Sequence, residues 1–142
     1  MLQQFQSPEI QAFAAGYPRV LLHLGVTLLI YFFGCASYAL LSPHRELPLI
    51  RDGNSAAAVS LGGALLAMGI PLSTAMTASV SLVEVALWGA ATLAIQLLVF
   101  RIVDFILRGL PQRIEEGDVA AAGLLVSVKL ATALILAAAV AG

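Results

Sequence analysis

Two stretches of this sequence carry no formal charge over lengths that few architectures can accommodate. Between Arg19 and His44 lie 24 such residues, taking His23 as neutral, and between Asp52 and Glu84 lie 31. A helix crossing a bilayer core of about 30 Å needs roughly 20 apolar residues, so both stretches are long enough to span. Only 11% of the residues are charged and the mean hydropathy is +0.99. Soluble domains carry about 25% charge. The chain therefore reads as an all-α integral membrane protein.

A second feature organises the whole. Ile50-Arg-Asp-Gly53-Asn54-Ser55 followed by three alanines is answered 64 residues later by Ile114-Glu-Glu-Gly117-Asp118-Val119 and three alanines. Leu47-Pro48 and Leu110-Pro111 precede the two copies. Each copy reads as a turn leading into a helix: glycine bends the chain, Asn or Asp caps it, and alanine propagates it. Two tandem two-helix repeats are expected, residues 19–77 and 78–142, behind an N-terminal segment 1–18.

Taken in order, Ser7-Pro8-Glu9 resembles a helix start and Gly16 with Pro18 a stop, so 1–18 is expected to hold a short interfacial helix or a partly ordered tail. The first crossing runs from Arg19 to Leu41 and ends at Ser42-Pro43. Tyr17 and Tyr38 near its ends suit the headgroup level. The second starts at Asn54 and reaches Gly69, or Met76 if Pro71 only kinks it. Its small residues, Ser60, Gly62, Gly63 and Ala67 among them, permit close helix packing. The third spans Val83 to Leu110 and the fourth Asp118 to Ala141. Arg45, Arg51, Arg108 and Arg113 fall in or beside the two polar loops, and Arg101 approaches the same side. The positive-inside rule then makes loops 42–54 and 109–117 cytoplasmic and both termini external. Equal orientation of the repeats predicts a pseudo-two-fold axis along the membrane normal. The first residues lack a positive n-region, so no cleavable signal is expected. Cys35, the single cysteine, reads as a small buried hydrophobe.

Lys129 is the sharpest candidate for function. It stands 11 residues beyond Asp118, about 16 Å along a helix. An ammonium at that depth costs at least about 2.5–3.5 kcal/mol and needs a partner or a wet cavity. Helical side chains lean toward their own N-termini, so on antiparallel third and fourth helices Asp104 and Lys129 lean together. A Lys129–Asp104 pair is expected, with Arg101 competing for the carboxylate. The pair either fixes helix packing or handles ions or protons. Gln96 reads as an interhelical hydrogen bonder, and His23 as an interfacial residue that either bonds a neighbour or responds to pH. Gly53, Asn54, Gly117 and Asp118 read as turns and caps.

The paired Gly-Asn/Asp-x-Ala-Ala motifs, Ile70-Pro71 and Gln96 together resemble the YjfL-like family, domain of unknown function 350, over residues 20–142. The resemblance implies a small bacterial inner-membrane protein built of two two-helix units. It also implies a link to membrane-stress partners. It brings no established activity.

The chain shows no phosphate loop, no metal-ligand spacing and no nucleophile beside a base, and a net charge of −1 points to no nucleic acid. No catalytic residue, cofactor or metal is expected. The reading is a non-enzymatic membrane scaffold or accessory subunit, expected to form homo-oligomers. The alternative is a small-ion or proton conduit using Lys129, Asp104 and Arg101.

Overall fold

The computed structural model describes residues 7–142, and every regular element among them is a helix. They are α1 (Pro8–Leu41), α2 (Glu46–Arg51), α3 (Ser55–Ala78), α4 (Leu82–Ile106), α5 (Leu110–Glu115) and α6 (Val119–Ala141). Among the described residues, α1, α3, α4 and α6 are each long and apolar enough to cross a membrane. The short helices α2 and α5 lie at the same end of the bundle, called the loop end below.

Helix α1 departs from the expected boundaries. It runs unbroken through Gly16 and Pro18 for 34 residues, so residues 8–18 join the first crossing's helix rather than forming a separate interfacial one, and the start of the expected 1–18 segment lies outside the described residues. Its length is about 51 Å, against about 30 Å of hydrocarbon. A helix-interior proline costs about 3 kcal/mol. Breaking a helix near a bilayer exposes several backbone groups at comparable cost each, so continuing is cheaper. The same logic carries α3 through Pro71 to Ala78. The third crossing, in contrast, is shorter than expected and ends at Ile106 rather than Leu110. Leu107 caps it, and two residues on, Gly109, at φ 92° in the left-handed region, leads into α5.

Both polar connections adopt one local design. Each has a six-residue helix, a glycine at positive φ (Gly53 at 87°, Gly117 at 88°), an Asx cap and a long helix. The Asn54 side chain accepts the Ala57 N–H at 3.0 Å, and Asp118 accepts those of Ala120 and Ala121 at 2.9 and 3.1 Å. The Ala121 N–H and the Arg113 guanidinium hold the Asp118 carboxyl below the usual carboxylate range. Asn54 does more than cap. Its Nδ2 donates to the Ile114 and Glu115 carbonyls at 2.9 and 3.1 Å, tying one turn to the other. Replacing Asn54 by alanine is expected to cost about 2 kcal/mol, about 1 for the cap and about 1 for the tie. Asn54→Asp keeps the acceptor but loses the donor. Thermal unfolding in detergent should place it between Asn54→Ala and wild type; equality with wild type would show that the tie contributes nothing.

The core divides by depth. Near the loop end Ala56, Ala57, Val103, Ile114, Ala121, Ala122 and Leu125 pack together. Deeper lie Tyr38, Ala64, Ala67, Met68, Leu93, Phe100 and Ala133. Helices α3 and α6 share the most extensive contact. Gly63 makes it possible, because a Cβ there would collide with both γ-methyls of Val126. Gly62, also expected to be a packing residue, faces open space instead. At the far end Ser81 Oγ accepts the Glu84 N–H at 3.2 Å and Glu84 accepts the Val80 N–H at 2.7 Å, a reciprocal cap on α4.

Candidate functional site

Lys129 occupies the middle of α6 with 1% of its surface exposed. Its Nζ lies 2.9 Å from Asp104 Oδ1 in the last turn of α4, an ion pair whose angles fall outside those of a hydrogen bond. It also donates to the Tyr38 hydroxyl at 3.1 Å and sits 4.9 and 5.2 Å from the ring centres of Tyr38 and Phe100. A carboxylate, a hydroxyl and two ring faces thus replace the water that the ammonium gives up.

The network continues past the pair. Tyr38 accepts from Lys129 and spends its own proton on Glu46 Oε1 at 3.2 Å. The same oxygen accepts Ser60 Oγ at 2.8 Å and lies 2.9 Å from His44 Nε2. An ionised carboxylate only accepts, which assigns the His44 ring proton to Nε2. His44 and Glu46 are buried at 1% and 4% exposure although both belong to a connection that reads as polar loop. The cause is local. Pro43 ends α1, and the short helix α2 then folds its first residue back beneath Ser60 of α3. Tyr38 is likewise no headgroup anchor: it is 2% exposed and bridges the lysine and the second carboxylate.

The structure thus gathers Asp104, Lys129, Tyr38, Glu46, Ser60 and His44 from α1, α2, α3, α4, α6 and the residue run before α2 into one buried chain. Formally it holds two carboxylates and one ammonium. His44 supplies a second positive charge when protonated.

Other expected members stand apart. Arg101 does not compete for Asp104; it donates to the Leu41 carbonyl at 2.7 Å, one of the orphan acceptors ending α1. Gln96 is 1% exposed, and neither atom of its amide has a hydrogen-bond partner among the described residues, so it does not bond a neighbouring helix as expected. It lies one turn beyond Phe100, where the packing residues are apolar. His23 donates from Nδ1 to the Arg19 carbonyl one turn earlier, at 2.8 Å. Ser60 was legible only as a small packing residue; its hydroxyl is the more important part. His44 and Glu46 had one sequence signal: two titratable residues two apart, directly after the proline that stops a crossing.

A cleft of about 620 Å³ touches the Glu46 end of the network, lined by Cys35, Ala39, Ser42, Arg45, Leu61 and their neighbours. Cys35 is half-buried there. A smaller cleft touches the Asp104 end.

Four apolar crossings closed around a buried charge network define a multi-pass helical membrane protein. Comparison with known proteins supplies the family. The family model described as Domain of Unknown Function (DUF350) matches residues 12–140, and the chain belongs to that family. It is similar to the UPF0719 inner membrane protein YjfL of Escherichia coli K12 and to its counterpart in Escherichia coli O157:H7. Identity to each is 38% over 98 residues, covering 69% of this chain and 73% of theirs. No solved structure matches.

Proposed function

We propose that this chain is a non-enzymatic subunit of the bacterial inner membrane that works by assembling with itself or with other membrane proteins. The observation that carries this reading is the seating of the charges. The ammonium of Lys129 is held by the Asp104 carboxylate, the Tyr38 hydroxyl and the rings of Tyr38 and Phe100. On the side away from the loop end the next layer is formed by Ala64, Ala67, Met68, Leu93 and Ala133 with the buried amide of Gln96, and among the described residues no hydrogen bond carries the network on through it. Such a network suits a clasp that joins helices better than the lining of a path. Two tandem hairpins of one orientation, loops in the cytoplasm, fit the matched turn designs and the arginines gathered at the loop end. Large apolar side chains such as Phe32, Phe33, Leu98 and Ile135 stay exposed on the helix faces, suited to lipid or to a second copy.

Ion and proton flux through liposomes containing the purified protein tests the reading. The expected result is no flux above protein-free vesicles, and a Lys129→Met/Asp104→Leu double variant that assembles as wild type does. Flux in wild type that vanishes in the double variant would replace the clasp with a conduit.

A further inference from the structure

A separate set of charges faces outward beside Asp104. A cleft of about 340 Å³ at the loop end is lined by Pro43, Arg101, Asp104, Phe105, Arg108 and Gln112, among others. Its carboxylate is already matched by Lys129. Among the described residues neither of its two arginines forms an ion pair with a carboxylate. Arg101 uses Nη1 on the Leu41 carbonyl, and Arg108 uses Nε on the Phe105 carbonyl at 3.2 Å while lying 3.9 Å above the Phe105 ring. A guanidinium carries five N–H donors, so each arginine keeps donors to spare. The neighbouring Arg113, by contrast, is committed to Asp118 through Nε at 2.8 Å.

Two arginines with donors to spare, both lining one cleft, suit a phosphate, whose oxygens accept paired N–H donors. The surroundings narrow the source. Ile102, Phe105 and Ile106 beside the cleft are 47%, 64% and 69% exposed on a membrane-crossing helix close to its end. An anion seated there has apolar surface next to it at the level where headgroups meet acyl chains. Basic pockets between membrane helices at that level bind phosphate headgroups.

We propose that this cleft binds the phosphate of an anionic phospholipid, held by Arg101 and Arg108, with Ile102, Phe105 and Ile106 against its acyl chains. The inference does not depend on the assembly role. Free phosphate shares the charge but has no chain to place on that apolar surface.

The test is native mass spectrometry of the full chain in non-ionic detergent, titrated with phosphatidylglycerol, phosphatidylcholine or inorganic phosphate. Phosphatidylglycerol should be retained over phosphatidylcholine. Arg108→Gln and Arg101→Gln should each weaken it about fivefold, the worth of one basic residue near a membrane surface. Arg108→Lys, which keeps the charge but loses the fork, should fall between. Arg51→Gln, exposed at the same end but outside the cleft, should bind as wild type. Equal retention of the two lipids would overturn the proposal, as would an Arg51→Gln loss matching that of Arg108→Gln. Displacement of phosphatidylglycerol by millimolar inorganic phosphate would reassign the site to the free ion. Should Arg101→Gln unfold by releasing the end of α1, Arg108→Gln decides alone, since its side chain bonds only the adjacent turn.

Discussion

Lys129→Met is expected to destabilise the protein by about 3–5 kcal/mol, the range for removing one partner of a buried ion pair. Methionine fills similar volume, so the loss is electrostatic rather than steric. Asp104, 7% exposed, is left with an uncompensated charge, and the Tyr38 hydroxyl loses its donor. Lys129→Met/Asp104→Leu should recover most of that loss, because apolar replacement of a whole buried pair is often neutral. Thermal unfolding in detergent, followed by circular dichroism, measures both. A single variant as stable as wild type would mean that the ammonium lies in water, not in the bundle.

Glu46→Leu is the second large effect. One carboxylate oxygen serves Tyr38, Ser60 and His44. Each buried donor left without an acceptor costs about 1–3 kcal/mol, so a total of about 3 kcal/mol or more is expected. Glu46→Gln retains an oxygen at that place and should lose less than half as much. The comparison separates hydrogen bonding from charge. If Gln proves as damaging as Leu, the negative charge is what the site needs. If neither variant moves the unfolding temperature, Glu46 does not sit beneath Ser60.

The contrast between these residues shows what the sequence could disclose. The Lys129–Asp104 pair was legible because its logic is one-dimensional: a charge at a known depth, a carboxylate at matching depth on an antiparallel helix, and side chains leaning toward each other. Glu46 was hidden because its burial depends on a six-residue helix reversing the chain, and nothing in a polar connection announces which side chain turns inward. Tyr38 was misplaced for a related reason. An aromatic near the end of a crossing has two homes, the headgroups or the bundle, and periodicity alone does not choose between them. The stop signals at Gly16 and Pro18 carried weight appropriate to water, where a broken helix is readily solvated. Next to hydrocarbon the same signals lose. Helix α4 could end at Ile106, short of Leu110, because its end lies at the loop end beside α5 rather than next to hydrocarbon.

The buried network joins residues made far apart in time. Lys129 and Tyr38 are separated by 91 residues, and Asn54 reaches across 60 to the Ile114 carbonyl. Chains leave the ribosome N-terminus first, so Tyr38 and Glu46 reach the membrane ahead of Lys129. Glu46 can meet Tyr38, His44 and Ser60 from the first two crossings alone, whereas Asp104 meets its lysine only when α6 packs. The contacts of Lys129 with Asp104 and Tyr38 therefore join the last crossing to the fourth and first helices of the chain, α4 and α1.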